Sequence, residues 1–170
     1  TVVKAQTSCE IPMFIDIVPV ESAADMFEAV TSRGDKMDII IKAAAVSDYT
    51  PAEVSQEKVK KKDGDLSIPM KRTKDILKYL GEHKRQGQLL CGFSMETENM
   101  LENSTAKLRR KNADMIVANN LKDDGAGFGT DTNLVTLITE EGAEQLSLMG
   151  KDQVAEAVVN KILDKMNKEQ

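Results

Sequence analysis

The sequence predicts an α/β fold, with helices layered on a largely parallel sheet, and three features carry that prediction. Apolar runs at 37–45, 89–94 and 115–119 have strand length and are more continuously apolar than strands with one wet face. Segments with helical spacing of apolar residues, such as Ile76, Leu77 and Leu80, alternate with those runs. Strands alternating with helices pack as layers around a mostly parallel sheet.

Residues 1–3 are too short to form a strand unaided, and 13–18, apolar but for Asp16, read as a strand or an extended connection. Ser22 with Asp25 three residues on approximates a capping box. Ala23, Met26, Phe27 and Val30 then form the stripe of a helix that Gly34 ends. Residues 37–45 follow as a strand buried on both faces, interrupted only by Asp38 and Lys42. Leu66, Ile68 and Met70 alternate with polar residues in a strand with one wet face; Gly64 before it makes the preceding lysines one arm of a hairpin or flap, roughly residues 50–70. Thr73 is placed to cap a helix running to about Glu82.

After the strand at 89–94, residues 99–111 form a polar helix and 115–119 a short buried strand. Residues 123–132 hold three glycines and form a loop, not a phosphate-binding fingerprint, because no helical pattern begins at their end. Leu134, Thr136 and Ile138 alternate with Val135 and Leu137 in a further strand, and Glu141-Gly142 turns it back toward 144–148. Residues 151–166 are the closing helix, with Val154, Val158 and Ile162 spaced by four.

A chain of 170 residues, 41% apolar and 30% charged, suits one well-buried soluble domain spanning 1–170. No apolar run approaches the roughly 20 residues of a membrane helix. Thr1 is followed by no basic-then-apolar leader, so the chain is expected to be a piece of a longer protein. A net charge of −5 argues against a general nucleic-acid binder. The basic residues are nonetheless clustered at 58–62, 71–74 and 107–111, which suits a small polyanion. Cys9, Cys91 and His83 have neither metal-ligand spacing nor the density of a disulfide scaffold, so a reducing cytoplasm is the expected setting.

The candidate chemistry sits where strands end, since ligands of such sheets bind beyond the carboxyl ends of the strands. At the first end, Ala43, Ala44 and Ala45 permit close approach to the backbone, Asp48 supplies a carboxylate, and Lys58, Lys60, Lys61 and Lys62 follow. By residue type alone the same stretch fits tight packing, a turn cap and a solvated lysine run. At the second end, Gly92 and Phe93 offer close approach and a flat surface for a base, or a packing glycine beside a core aromatic. At the third, Asn119 and Asn120 serve a ligand or a turn. Lys107 and Lys111, four apart, share one helix face.

The order of these residues is more specific than their types. KAAAVSDYTPA followed by EKVKKK resembles phosphopantothenoylcysteine synthetase, in which AAV-x-D-Y and K-x-K-K occur at this separation. Gly92, Phe93, Glu96 and Thr97, followed by Lys107, Lys111 and Asn112, are similar to that family's GF-x-x-E-T and K-x-x-x-K-N. Residues 127–133 look like its late motif, GF-x-x-D-x-N. The nearest form is the bacterial, CTP-using type, the C-terminal domain of the bifunctional phosphopantothenoylcysteine decarboxylase/phosphopantothenate–cysteine ligase.

The resemblance implies a three-layer Rossmann-like domain with a mostly parallel sheet and a β-hairpin flap. It implies a ligase of coenzyme A biosynthesis that converts 4′-phosphopantothenate and CTP to an acyl-cytidylate, then couples this to L-cysteine with release of CMP. Carried onto this chain, Ala43, Ala44, Ala45 and Asp48 lie against the nucleotide, and Lys58 neutralises charge on the triphosphate as the catalytic residue. Lys74, Asp75, Ile76, Leu77 and Phe93 line the nucleotide pocket, Lys107 and Lys111 complete it, Asn119 binds substrate, and Asp48 and Asp75 hold Mg²⁺. A homodimer paired through the flap is implied, as is FMN, though only in a fused decarboxylase domain. Neither a nucleic-acid nor a membrane partner is expected.

The chemistry agrees with that assignment, because nucleotidyl transfer needs charge stabilisation and positioning more than a protein nucleophile. There are departures. The family's opening glycine-rich turn and its asparagine do not occur before Thr1, Ala5-Gln6 stands where Gly-Pro is usual, and Lys74 stands for the proline of N-P-D-I. The chain is therefore expected to begin at the family's second strand. A non-catalytic, truncated nucleotide-binding module of the same fold is the alternative. An unrelated dinucleotide-binding oxidoreductase is disfavoured, because no G-x-G-x-x-G joins a strand to a helix.

Overall fold

The computed structural model describes residues 1–7, 9, 11–60, 64–120 and 130–168. Lys61 and Lys62 of the lysine run, most of the expected loop at 123–132, and Gly127, Phe128 and Gly129 of the late motif lie outside the described residues. The elements begin with β1 (Val2–Lys4), β2 (Ile17–Pro19), α1 (Ala23–Gly34), β3 (Ile39–Lys42), β4 (Tyr49–Pro51) and β5 (Met70–Arg72). Next come α2 (Ile76–Glu82), β6 (Leu89–Glu96), α3 (Met100–Arg110) and β7 (Met115–Asn120). The chain closes with β8 (Thr132–Asn133), β9 (Val135–Thr139), β10 (Gly142–Gln145), β11 (Met149–Gly150) and α4 (Lys151–Lys168). Two compact units result, Thr1–Val30 with Ala45–Asp75, and Thr31–Ala44 with Ile76–Gln170.

In the first unit β1 and β2 pair in parallel, Val3 opposite Val18. The strand expected over 13–18 is therefore only its last part, and the short segment at the start of the chain becomes a strand because β2 supplies its partner. The capping box forms as the sequence indicates: the Asp25 N–H donates to Ser22 Oγ at 3.1 Å and the Ser22 N–H to Asp25 Oδ2 at 2.9 Å. Hydrogen bonding from the Ser22 hydroxyl, and then from the Ser22 N–H, holds the Asp25 carboxyl below its ordinary range. β4 and β5 form an antiparallel ladder with Tyr49 opposite Arg72, and the Arg72 guanidinium lies 5.9 Å from the Tyr49 ring centre.

This ladder corrects two expectations. The strand expected over 66–70 occupies Met70–Arg72 instead, because its hydrogen-bonding partner is only Tyr49–Pro51. Thr73 does not cap a helix: its hydroxyl donates to the Ser47 carbonyl at 2.6 Å and its N–H to the Asp48 carbonyl at 2.9 Å. The helix starts at Ile76.

The second unit holds a five-stranded sheet in the order β10-β9-β7-β6-β3. β3, β6 and β7 are mutually parallel, β9 runs against β7, and β10 runs against β9, so one strand alone opposes the rest. One face carries Leu89, Cys91, Met115, Val117, Val135 and Leu137, and Val154, Val158 and Ile162 of α4 pack on it. Each of those three α4 side chains contributes about 1.5–3 kcal/mol by leaving water. α2 and α3 cover the opposite face, giving three layers, helix, sheet and helices. β3 is not buried on both faces as its apolar run suggests, and Ile41 is 42% exposed. The reason is position, since β3 is the edge strand among the described residues.

Side chains pin the amino ends of the strands. Gln88, buried, donates through Nε2 to the carbonyls of Gly34 and Met37 and fastens the start of β6 to the turn before β3. Asp114 accepts from the Leu90 N–H at 2.7 Å and from Lys84 Nζ at 2.8 Å. α3 ends in a Schellman arrangement: the Asn112 N–H donates to the Arg109 carbonyl, the Ala113 N–H to that of Leu108, and Asn112 has φ 48°. Asn112 Nδ2 also donates to the Gly81 carbonyl at 2.8 Å, which joins the ends of α2 and α3.

That junction admits no side chain. A Cβ on Gly81 would stand 1.7 Å from the Lys111 carbonyl oxygen. A Cβ on Gly87, at φ 76°, would meet nothing within 4 Å. Gly81→Ala should therefore lower stability by about 3 kcal/mol or more, through displaced backbone. Gly87→Ala should cost only about 1–2 kcal/mol of left-handed strain. Urea denaturation of both variants checks the difference, and equal losses would mean that the helix junction yields.

Candidate functional site

β3, β6 and β7 end along one edge of the sheet, where side chains of successive residues alternate between faces. β3 ends at Lys42, whose Nζ donates to the Ala44 carbonyl at 2.6 Å, and Ala43 and Ala44 beyond it are exposed. β6 brings Phe93, half-buried, and Met95, 44% exposed, to the face that α4 covers nearer the other end. Met95 is paired in register with Asn119 of β7, and Asn119 in turn with Val135. Asn119 is 8% exposed, and its Oδ1 has no hydrogen-bond partner among the described residues. Leaving such an acceptor unmet costs about 1–3 kcal/mol.

On the other face of the same strand end, Ser94 Oγ donates to Glu96 Oε1 at 2.9 Å and meets Ser104 Oγ of α3 at 3.0 Å. Asn103 Nδ2 donates to Glu96 Oε2 at 3.3 Å. The glutamate of the motif GF-x-x-E-T thus has structural partners. The motif's glycine has a packing role: a Cβ on Gly92 would lie 2.6 Å from Leu77 Cδ2. Sequence reasoning passed over Ser94 and Ser104, whose signal was two small polar residues in otherwise buried positions of a strand and a helix.

The other expected residues of this unit stand elsewhere. Ile76 and Leu77 are core side chains, so any ligand contact of theirs is made by backbone. Lys107 and Lys111 lie at the end of α3, where Lys111 is the C-cap. α3 leaves the carboxyl end of β6 and returns to the amino end of β7. Its 11 residues span about 16 Å, so its last turn lies away from Phe93 and Asn119. The structure brings Ala43, Phe93 and Asn119 to one edge and does not bring the two α3 lysines there.

In the first unit, Ala45, Asp48, Lys58, Lys74 and Asp75 are all exposed. Lys74 Nζ rests 4.7 Å from the centre of the Phe27 ring of α1, a cation–π contact. Asp48 lies at the base of the β4–β5 ladder, tied through its carbonyl to Thr73, two residues before Asp75. Among the described residues no three His, Cys, Asp or Glu side chains are grouped to hold a metal. Two exposed carboxylates suit an ion such as Mg²⁺, which is ordinarily held by one or two carboxylates together with a ligand's phosphates.

A cavity of about 300 Å³ opens at the amino end of β6 and β7, between Leu89, Cys91 and Met115 of the sheet and Ile162 and Lys165 of α4. Burial pushes the Cys91 thiol up to about 12, and the negative charge of Asp114 adds to the rise. It is a protonated core thiol at neutral pH, not a nucleophile. No helix among the described residues is long and apolar enough to cross a membrane.

Residues 1–166 match the family described as DNA/pantothenate metabolism flavoprotein C-terminal domain. Over 148 residues the chain is 48% identical to the coenzyme A biosynthesis bifunctional protein CoaBC of Bacillus subtilis (strain 168), covering 86% of this chain and 36% of that protein. It is 44% identical over 150 residues to a cysteine/cysteine sulfinic acid decarboxylase of an unknown prokaryotic organism, covering 88% of this chain and 42% of that protein. The crystal structure of the C-terminal domain of a coenzyme A biosynthesis bifunctional protein CoaBC superimposes with a TM-score of 0.79 at 43% identity, covering 98% of this chain and 75% of that one. The chain spans about two fifths or less of the length of these curated relatives.

Proposed function

Because the chain belongs to the DNA/pantothenate metabolism flavoprotein C-terminal domain family, we propose that it is the phosphopantothenate–cysteine ligase portion of a bifunctional, cytoplasmic protein of coenzyme A biosynthesis. The observation that carries this reading is the 43% identity, over 98% of the chain, to the solved C-terminal domain of a CoaBC protein. The proposed reaction uses CTP to activate 4′-phosphopantothenate as an acyl-cytidylate with loss of pyrophosphate. The amine of L-cysteine then attacks the activated carbonyl and displaces CMP.

The proposed roles follow what each residue exposes. Ala43, Ala44 and Ala45 offer backbone to the nucleotide, and Phe93 offers a face on which the cytosine stacks. Ile76 and Leu77 take part through their backbone, as core residues must. Lys58 is the catalytic cation, placed on an exposed segment where it meets charge developing on the leaving pyrophosphate. Lys74 belongs to the nucleotide set, and Asp48 and Asp75 would hold Mg²⁺, which supplies charge neutralisation on the phosphates. Lys107 and Lys111 belong to the set on the family resemblance alone.

Pyrophosphate release from CTP by the full-length protein, dependent on 4′-phosphopantothenate, is the expected outcome of the direct assay. Nucleotide binding without release would instead favour a non-catalytic module. By calorimetric titration with Mg²⁺ present, CTP should bind at least about tenfold tighter than ATP, because a base read by hydrogen bonds to backbone discriminates among exocyclic groups. Equal binding of ATP would sink that specificity.

Lys58→Gln should cost about 1.5–3 kcal/mol in nucleotide binding, one charge-assisted interaction. It should depress pyrophosphate release further, by about a hundredfold or more, because the leaving charge grows in the transition state. Lys36→Gln, at an exposed lysine outside the motifs, serves as the control. Equal, mild effects at both positions would show Lys58 to be ordinary surface.

A homodimer is also proposed. Between β4 and β5 the described residues expose Val54 at 80% and Leu66 at 74%, and a two-stranded hairpin with an uncovered apolar face needs a partner. A second copy would provide it. Sedimentation at micromolar concentration should show a dimer, and Val54→Asp with Leu66→Asp should shift it toward monomer. A wild-type protein that sediments only as monomer would contradict this.

A further inference from the structure

The cavity at the amino end of β6 and β7 lies wholly within the second unit and has no part in the proposed reaction. Protein interiors hold few voids larger than a water molecule, so a space of about 300 Å³ against core side chains asks for an occupant. Pockets that take small molecules begin at about this size. Its apolar floor includes Leu89, Cys91, Met115 and Ile162, all more than nine-tenths buried, and two of these four carry sulfur. Soft, polarizable sulfur favours the edge of an aromatic ring. The charges around the cavity are compensated. Lys161 is held by Glu144 at 2.7 Å, Lys168 lies 3.9 Å from Glu141, and the two oxygens of Asp114 accept from Lys84 and the Leu90 N–H. The remaining charged residues there, Asp164 and Lys165, are of opposite sign. An ion entering this space loses its water and finds most of its counter-charges engaged. Thr139 also lines the cavity; its hydroxyl donates to the Gly142 carbonyl at 3.4 Å, and a hydroxyl oxygen that donates can still accept.

We propose that this cavity is a binding site for an uncharged aromatic small molecule of about two fused rings that carries one N–H or O–H donor. The size follows from the volume, since a dry cavity of about 150 Å³ takes a single benzene ring. The rings lie against Leu89 and Ile162 with an edge toward the sulfurs of Cys91 and Met115, and the donor meets the Thr139 hydroxyl oxygen. The thiol takes part by packing alone, because burial keeps it protonated. The site is distinct from the one proposed for the nucleotide: Met115 and Asn119 lie about 13 Å apart along β7. It stands on the geometry of the cavity and is independent of the ligase reading. An occupant bridges the last turns of α4 to the sheet, so binding and the seating of that helix are linked.

The test is calorimetric titration of the full-length protein with three probes that share one ring system: indole, tryptamine and indole-3-acetate. Indole should bind with a Kd of about 0.1–1 mM, as suits so few atoms. The cation and the anion should each bind at least about tenfold more weakly, because each carries a charge into compensated surroundings. Two variants locate the site, Cys91→Met from the floor and Ile162→Phe from α4. Each adds atoms to the space, and each should abolish indole binding while melting close to the wild type, since added volume enters a void and not a filled core. Excess CTP with Mg²⁺ should leave the indole affinity unchanged. No binding of indole, equal or tighter binding of either ion, binding that survives in a folded variant, or displacement by CTP would each overturn the assignment. Failure of both variants to fold would overturn it too, by showing that the space is already filled.

Discussion

A Cβ at residue 81 would stand 1.7 Å from the carbonyl oxygen of Lys111, so the two helices on one face of the sheet close on each other over bare backbone. Much of the second unit follows from that approach. Because α2 ends against the end of α3, Asn112 is positioned to donate to the Gly81 carbonyl while its own left-handed backbone terminates α3. Termination there releases Ala113 and Asp114 into the start of β7. The Asp114 carboxylate then accepts from the Leu90 N–H and from Lys84, which sets β7 beside β6. Gly92 repeats the device higher on the sheet, where the Leu77 side chain fills the space that a Cβ would need.

The two ends of this sheet serve different purposes. The amino end is saturated: Gln88 and Asp114 satisfy backbone groups, and the Cys91 thiol is buried deeply enough to stay protonated. The carboxyl end is more open, with Met95 and Ile41 exposed and the Asn119 oxygen without a partner among the described residues. Proteins tolerate broken local rules where a ligand will complete them, and parallel sheets place such ligands beyond the carboxyl ends of their strands. The cavity near Cys91 lies at the saturated end, which separates it from the chemistry proposed for the other.

In the first unit, order comes from a few pairings and not from a broad core. The ladder of β4 and β5 is only three residues long, and Thr73 extends it with two hydrogen bonds from one residue. Two cations sit on two rings, Arg72 by Tyr49 and Lys74 over Phe27. Such contacts are worth little each at exposed positions, about 0.5–1 kcal/mol. They leave Lys58 and Lys60, between the strands, exposed, as the role proposed for Lys58 requires.

How much of this was legible in the chain depends on the range of the interactions involved. Local rules resolved the capping box of Ser22 and Asp25, the α4 stripe of Val154, Val158 and Ile162, and the alternation of strand with helix. Each rests on residues within one or two turns of each other. The order of AAV-x-D-Y, K-x-K-K and GF-x-x-E-T was enough to point to the family, since motif order is a property of the chain itself. Tertiary structure decided what depends on a partner distant in sequence. Val2–Lys4 gained a strand because β2 came alongside, and the strand foreseen over 66–70 moved to Met70–Arg72 because Tyr49–Pro51 was its partner. β3 lost the two-sided burial that its apolar run suggested because it lies at an edge. Ile76 and Leu77 read equally well as pocket or core until the sheet showed Leu77 filling the space above Gly92. That the Asn119 oxygen has no partner among the described residues had no signature in the sequence, for an asparagine is satisfied or not only by the neighbours that folding brings to it.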